Sequence, residues 1–241
     1  MRTRTEPPRL KVVVFDVDGT LADTERDGHR PAFNEAFKRH GLDINWDAEE
    51  YGRLLRITGG CRRVASYLRE RGYGPSAEAV ADAVHQTKTE LFAARVASGG
   101  VVARAGVTEL VHELARAGVR IAVATTGRRA WVEPLVSRLL GAGAVEVMVT
   151  GDAVTELKPD PEVYLRALGE LGVDARDALA VEDSEVGLRS ATAAGLATVV
   201  VTNGYTAGGD FSGAAEVRPG FDGPAPMRAA HCVAVHRSWW I

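Results

Sequence analysis

Two aspartates near the N-terminus, Asp16 and Asp18, have the residue type and the spacing to do chemistry. They belong to the run Asp16–Thr20, which directly follows the apolar run Val12–Phe15. A continuous β-branched and aromatic run of this kind predicts a strand buried on both faces of a parallel sheet. Two carboxylates at its carboxyl end would repel each other unless a cation lies between them or one holds a proton. The pattern therefore indicates a site for a hard metal ion such as Mg²⁺ and for nucleophilic or acid–base chemistry.

Three further polar sites follow other predicted strands. These sites are Thr125 after 119–124, Lys158 in the loop after 145–149, and Glu182 with Asp183 after 178–181. Because the carboxyl ends of parallel strands meet at one edge of a sheet, we expect all four sites to lie close together. They would supply a nucleophile, a second acid, a hydroxyl donor, a cation and a metal-binding carboxylate. Phosphoryl transfer through an aspartyl-phosphate needs this set of groups.

The elements that must position these residues alternate between strand and helix after residue 101. Helical patterns lie at 106–117, 128–140 (interrupted near Pro134), 160–171 and 184–194, and a further strand spans 197–201. Such alternation favours a doubly wound parallel sheet. We therefore predict an α/β fold with a Rossmann-like core formed by residues 1–22 and 102–241.

Residues 23–101 have a different character, because they contain several helical periods and no good strand candidate. Pro31 falls in the first of these periods, and a proline inside a helix costs about 3 kcal/mol unless it lies in the first turn. We therefore expect that helix to begin or kink near His29. An all-helical module inserted after a strand that carries catalytic residues would form a cap domain, or lid.

The composition excludes several kinds of partner. The formal net charge of −3 gives no long-range attraction for nucleic acid or an anionic membrane. No apolar stretch reaches the roughly 18 residues that a membrane-spanning helix needs. Cys61 and Cys232 form no spacing motif and fit a reducing compartment. We expect a cytoplasmic protein that binds neither nucleic acid nor membrane and is a monomer or a weak homodimer.

The four sites, in this order along the chain, resemble the motifs of the haloacid dehalogenase-like superfamily. The matching residues are Asp16–Thr20, Thr125, Lys158-Pro159, and Glu182–Ser184 with Gly187. The resemblance implies that Asp16 attacks phosphorus, and that Asp18 protonates the leaving alkoxide and then activates water. It implies that Thr125 and Lys158 bind phosphoryl oxygens. The residues that it implies for Mg²⁺ are Asp16, Asp18 through its carbonyl, Asp183 and the nearby Glu182.

Parts of the inserted module resemble the CbbY group of phosphatases within that superfamily. These parts are Asp23–Arg30, Ala32–Asn34, Trp46-Asp47, Tyr51-Gly52 and Thr58–Gly60. The resemblance implies a small phosphorylated sugar as substrate, for example the bisphosphate xylulose 1,5-bisphosphate. A bisphosphate needs a second anion site, which Thr58–Gly60 and the following arginines would provide through N–H groups and guanidinium groups. Cys61 stands where we expect the group to carry a lysine. The candidate substrate-binding residues are Glu25, His29, Arg62, Arg63, Thr126, Gly127 and Arg128.

Other functions stay open on the sequence alone. A mutase similar to β-phosphoglucomutase would use the same aspartyl-phosphate, and a non-catalytic binding protein would retain the same fold. A dehalogenase is disfavoured, because that reaction requires neither Mg²⁺ nor an acid at Asp18. A calcium loop of the EF-hand type is excluded, since Thr20 and Leu21 stand where it needs an acid or amide and a glycine.

Overall fold

The structure, a computed structural model, describes residues 8–57 and 59–241. Its internal contacts divide the chain into two compact units. The core unit comprises the chain up to Asp23 together with Val102–Ile241, and the helical unit comprises Thr24–Val101. Within the described ranges, no helix is both long enough and apolar enough to cross a membrane.

A parallel sheet forms the centre of the core unit. Its strands are β1 (Val12–Phe15), β2 (Arg120–Ala124), β3 (Val147–Val149), β4 (Ala178–Glu182), β5 (Ala197–Val201) and β6 (Glu216–Arg218). They lie in the order β3-β2-β1-β4-β5-β6, and every paired neighbour is parallel. The predicted α/β fold with a doubly wound sheet is confirmed. The connection order reverses between β1 and β4, which is where such sheets form a ligand-binding crevice.

The α-helices are divided between the two units. Those of the helical unit are α1 (Arg30–Arg39), α2 (Ala48–Leu54), α3 (Gly60–Glu70) and α4 (Ala77–Ala97). Those of the core unit are α5 (Val107–Arg116), α6 (Arg129–Leu140), α7 (Glu162–Leu171), α8 (Glu185–Ala193) and α9 (Ala229–Trp239). Short helical turns lie at Glu25–His29, Gly74–Ser76 and Ala175–Asp177. Pro31 is the second residue of α1 and directly follows the π-helical turn Glu25–His29, so the helix changes from π to α geometry next to the proline.

The central strands are buried because both faces of the sheet are covered. Every residue of β1, β4 and β5 is buried. Alternate residues of β1 and β2 pack against α7 and α8, in a cluster that includes Val12, Val14, Ala122 and Leu168. This packing fixes the strand ends that carry the predicted catalytic residues.

The structure differs from the sequence-based expectations in three places. Helix α6 is continuous although Pro134 lies inside it, because Val132, Leu135 and Val136 bury its apolar face on both sides of the proline. Strand β6 was not predicted, since three residues are too few to show a period. Helix α9 lies in a tail for which no element was expected.

Aromatic side chains form the interior of the helical unit. Trp46 is fully buried, and its ring centroid lies 4.7–5.7 Å from those of Phe33, Phe37, Tyr51 and Tyr67. Such contacts add to the burial of apolar area that stabilises the fold. The helical unit therefore has its own core. Its role as a lid stays a prediction.

Candidate active site

Three acidic side chains meet where β1 and β4 end. Phe15 pairs with Val181 in the parallel register, so Asp16 and Glu182 follow at the same level of the sheet. Asp16, Glu182 and Asp183 are buried, and each offers an oxygen within 4.8 Å of the other two. We call these three residues the carboxylate cluster. The strand-end pattern in the sequence predicted that they would meet.

Lys158 reaches this cluster from the loop between β3 and α7. Its Nζ donates to Asp16 Oδ1 and to Glu182 Oε1, each at 2.6 Å, and to the carbonyl of Ala124 at 2.8 Å. The lysine side chain is 5% exposed. Burial alone would lower the pKa of its ammonium group, but the two carboxylates outweigh it and hold that pKa above the usual value. Lys158 is therefore charged and fixed between two acids.

The carboxylate cluster holds more negative charge than Lys158 can balance. Burial raises the pKa of Asp16 to about 8. The Lys158 ammonium lowers this pKa, but repulsion from Glu182 and Asp18 adds to the effect of burial. Burial, with repulsion from Asp16 and Glu182, also raises the pKa of Asp183. Without a further cation, a proton remains in the cluster near neutral pH, because the pKa of Asp16 is about 8. A divalent cation would replace that proton.

The donor set of the carboxylate cluster fits a hard cation. All its ligand atoms are carboxylate oxygens, which Mg²⁺ and Ca²⁺ prefer. The structure brings together three of the four predicted metal-binding residues, Asp16, Glu182 and Asp183. The side chain of Asp18 does not belong to this group, although it lies near enough to raise the pKa of Asp16.

Tyr164 is a site residue that sequence reasoning missed. Its hydroxyl donates to Glu182 Oε1 at 2.5 Å and lies 3.5 Å from Lys158 Nζ. On the sequence it belongs to the apolar face of α7, so nothing distinguishes it from a packing residue.

Gly187 lies on the other side of Glu182, where an added Cβ would be 1.9 Å from Oε2. The fourth motif therefore needs a glycine there because the glutamate fills the space.

Thr125 and the residues after it form the loop between β2 and α6. Thr125 is buried, and its Oγ1 accepts a bond from the Gly127 backbone N–H at 3.0 Å. Thr126 and Arg128 are exposed. This loop follows the strand that pairs with β1, so it lies at the same edge of the sheet as Asp16. The predicted roles of these residues in binding stay predictions.

Asn203 also lies at this edge of the sheet, two residues after the end of β5. Its side chain bonds to Asp183. The rule that identified the other strand-end residues could have found it, because a polar residue after a buried strand is the same signal.

Two candidate residues of the helical unit, Glu25 and Arg63, are joined through Tyr51. The Tyr51 hydroxyl donates to Glu25 Oε2 at 2.5 Å, and the Arg63 guanidinium donates to that hydroxyl at 3.4 Å. Arg63 also donates from Nε to the carbonyl of Leu54 at 3.0 Å and is 7% exposed. We call Glu25, Tyr51 and Arg63 the Tyr51 triad. The arginine is thus committed to contacts inside its own unit.

The other residues that the sequence singled out in the helical unit differ in exposure and in contacts. His29 stacks on Phe92 with ring centroids 3.9 Å apart. Arg62 is exposed, next to the buried Arg63. Cys61 Sγ donates to Asp82 Oδ1 at 2.9 Å. Thr58 lies outside the described residues. The substrate-binding roles expected for this unit stay predictions.

Comparison with known proteins identifies the enzyme family to which the chain belongs. The family model of the haloacid dehalogenase-like hydrolases matches residues 10–195. That span includes every residue of the carboxylate cluster, Lys158 and Thr125. The chain belongs to the haloacid dehalogenase-like hydrolase family.

Within that family the chain is similar to CbbY proteins. It is 48% identical to CbbY of Rhodobacter capsulatus over 208 residues, which cover 85% of this chain and 91% of that protein. The solved structure of CbbY from Rhodobacter sphaeroides in complex with phosphate has a TM-score of 0.79 and 42% identity, and the match covers 92% of this chain and 99% of that chain. A mutant of the same protein in complex with xylulose 1,5-bisphosphate gives a TM-score of 0.79 at 41% identity, over 92% and 99% of the two chains.

These findings confirm the resemblance and the enzyme class predicted from the sequence. The chain is a CbbY-like enzyme of the phosphatase class.

Proposed function

We propose that this protein is a Mg²⁺-dependent phosphatase that hydrolyses a small sugar phosphate or bisphosphate through an aspartyl-phosphate on Asp16. The observation that carries the proposal is the buried carboxylate cluster with Lys158 inserted between two of its members. A buried excess of carboxylate charge is costly unless a ligand uses it.

Asp16 is the proposed nucleophile. Lys158 holds its Oδ1, so the other carboxylate oxygen is the one that attacks phosphorus. The new bond joins that oxygen to phosphorus, while the bond from phosphorus to the ester oxygen of the sugar breaks. Asp18 gives its proton to the leaving alkoxide and then takes a proton from the water that attacks phosphorus. The bond between phosphorus and the Asp16 oxygen breaks in that second step, which restores the carboxylate. The products are the dephosphorylated sugar and inorganic phosphate.

Mg²⁺ would be held by carboxylate oxygens of Asp16 and Asp183 and by the carbonyl of Asp18. Once bound, it would offset the negative charge of the cluster and of the phosphoryl oxygens. Glu182 stays nearby, because Lys158 and Tyr164 both donate to its Oε1. Lys158 and Thr125 bind phosphoryl oxygens, and the lysine offsets the charge that develops in the transition state.

The proposed substrate class rests on similarity and on the helical unit. A mutant of the Rhodobacter sphaeroides protein is in complex with xylulose 1,5-bisphosphate in its solved structure. A second phosphate requires basic groups, and Arg62 is an exposed arginine near the start of α3. We propose Arg62 as a contact to the distal phosphate, with Glu25 and His29 contacting the sugar and Thr126–Arg128 completing the binding residues.

The test is a screen of phosphorylated metabolites, with and without Mg²⁺, that compares xylulose 1,5-bisphosphate with ribulose 1,5-bisphosphate. We expect free phosphate to be released in Mg²⁺ and not in excess chelator. β-Glucose 1-phosphate with a bisphosphate primer serves as a second substrate. Conversion to glucose 6-phosphate without free phosphate would show a mutase instead. Halide release that persists in chelator would show a dehalogenase, and either result would refute the proposal.

A further inference from the structure

We propose that Asn203 and Arg104 are positioning residues that fix Asp183 as a ligand of a divalent cation. Asn203 bonds directly to Asp183, and both residues hold the backbone carbonyl of Gly19. The inference rests on the proposed function, because it takes Asp183 to be a metal ligand. Both residues belong to the core unit, and neither is part of the four motifs of the family.

Asn203 connects Asp183 to the turn of the first motif. Its Nδ2 donates to Asp183 Oδ2 at 2.7 Å and to the Gly19 carbonyl at 3.3 Å. A carboxamide nitrogen carries two hydrogens, so it can make both bonds at once. Its Oδ1 accepts from the Tyr205 backbone N–H at 2.8 Å. That bond fixes which end of the amide faces the carboxylate.

Arg104 holds the same turn from the other side. Its Nη1 donates to the Gly19 carbonyl at 2.5 Å and to that of Val201 at 2.9 Å. Its Nη2 donates to the Thr202 carbonyl at 2.6 Å. One guanidinium thus ties the first-motif turn to the end of β5, directly before Asn203. The two terminal nitrogens of the guanidinium reach carbonyls that lie apart, and a lysine, whose donors all lie on one nitrogen, cannot reproduce this geometry.

Gly19 allows the two segments to approach this closely. Its φ is +81°, and an added Cβ would lie 2.2 Å from Asp183 Oδ2 and 2.7 Å from Asn203 Nδ2. The turn therefore packs directly against the carboxylate and its amide partner. A continuous set of hydrogen bonds leads from Arg104 through the Gly19 carbonyl and Asn203 to Asp183.

This arrangement has the form of the outer ligand shell of a metal site. Groups that hydrogen-bond to a metal-binding carboxylate fix its orientation, and their removal typically weakens metal binding by about 10–100-fold. A purely structural role would instead lower stability and leave the affinity for the metal unchanged. Metal affinity therefore separates the two roles.

The experiment measures Mg²⁺ binding to the full-length, metal-free protein by calorimetry. The variants are Asn203→Ala and Arg104→Lys, with Asp210→Asn as the matched control. Asp210 is exposed in the same β5–β6 segment, and its carboxylate accepts from Ser212. We expect the Kd for Mg²⁺ to rise about 10–100-fold in Asn203→Ala and about tenfold in Arg104→Lys. The control should match the wild type, and the Mg²⁺ concentration needed for half-maximal turnover should rise in parallel with each Kd.

Thermal unfolding in chelator separates positioning from loss of structure. An unchanged Kd in Asn203→Ala, with or without a lower Tm, would overturn the inference. If Arg104→Lys does not fold, Asn203→Ala decides the matter. Wild-type protein that binds Mg²⁺ but hydrolyses no phosphate ester would refute the proposed function, and the inference would still be judged on the affinities. Wild-type protein that does not bind Mg²⁺ would overturn both.

Discussion

One group of hydrogen-bonded polar side chains lies in each unit, and the two groups differ in charge balance. The carboxylate cluster sets three acids against one lysine, and a proton remains on it near neutral pH. The Tyr51 triad sets one acid and one guanidinium around a neutral hydroxyl. The triad is balanced by its own members, whereas the cluster is not.

The comparison separates polar groups whose charges are balanced by their own members from groups that need a proton or a cation. A balanced, hydrogen-bonded group stabilises a fold without a ligand. A buried group with excess charge of one sign is stable only when a proton or an ion compensates it. The same contrast exists inside the core unit, where Lys11 pairs with Asp177 at 2.8 Å at the beginning of β1 and β4. That balanced pair supplies matched controls for the cluster at the other end of those strands.

The largest effect is expected for Asp16→Asn, which removes the nucleophile and retains the shape. Turnover should fall by about 10⁴-fold or more, as is typical when a covalent nucleophile is lost. The comparison variant Asp177→Asn removes a buried acid of the balanced pair and should retain near wild-type turnover. Initial rates of phosphate release in Mg²⁺ measure both. Substantial residual activity in Asp16→Asn would reassign the nucleophile.

Lys158→Met should have the next largest effect. The change leaves Asp16 and Glu182 without their shared cation, and kcat should fall about 10²–10³-fold because a group that offsets transition-state charge is lost. Lys11→Met removes the half-exposed lysine of the balanced pair at the beginning of β1 and β4, and it should leave kcat unchanged. Steady-state kinetics on both variants make the check. Equal losses would show that the unbalanced cluster has no special role.

The pH dependence of stability in chelator tests the charge excess itself. The pKa of Asp16 is raised from 3.8 to about 8 on folding, so the folded state binds more protons than the unfolded state between those values. Stability from this group is complete below pH 4 and is lost as the pH rises through 8. The free energy of unfolding in chelator should therefore fall by about 2 kcal/mol between pH 6 and pH 8.

Urea unfolding at several pH values provides this measurement. Asp16→Asn should make the slope shallower, because the variant has no titrating group at that position, and Asp183, whose pKa is also raised, should keep a slope of the same sign. Wild-type stability in chelator that increases from pH 6 to pH 8 would contradict the assigned charge state of the cluster.

The smallest effects separate two neighbouring arginines of the helical unit. Arg62→Met removes an exposed guanidinium, so KM for a bisphosphate should rise about tenfold while stability is retained. Arg63→Met removes buried hydrogen bonds of the balanced triad, so the free energy of unfolding should fall by about 1–2 kcal/mol. Steady-state kinetics and urea titrations of Arg62→Met and Arg63→Met distinguish a binding role from a structural one. The reverse pattern, with Arg63 controlling KM and Arg62 controlling stability, would assign the contact to the distal phosphate to Arg63 instead.

The strand-end rule explains how much of the site was predictable. Asp16, Glu182 and Asp183 follow apolar runs, and parallel pairing brings such positions together. The bonds to Lys158 could not be predicted, because they depend on the path of a loop. Tyr164 was hidden by the apolar face of α7. The buried position of Arg63 was detectable in principle, since it lies four residues before Tyr67 on the apolar face of α3.

The fold was predictable to a similar degree and for a related reason. Long apolar runs and amphipathic periods predicted the sheet and most helices. Strand β6 depends on its pairing with β5, which no local pattern of three residues reveals. The continuity of α6 through Pro134 depends on tertiary packing, which overrides a local preference.

Calorimetric titration of metal-free protein with Mg²⁺, in two buffers of different ionisation enthalpy, tests the central claim most directly. If an excess of buried carboxylate charge awaits a cation, one Mg²⁺ binds per chain with proton release near neutral pH, and the proton release is smaller in Asp16→Asn. Binding that releases no proton, or no binding at millimolar Mg²⁺, would contradict this account of the carboxylate cluster.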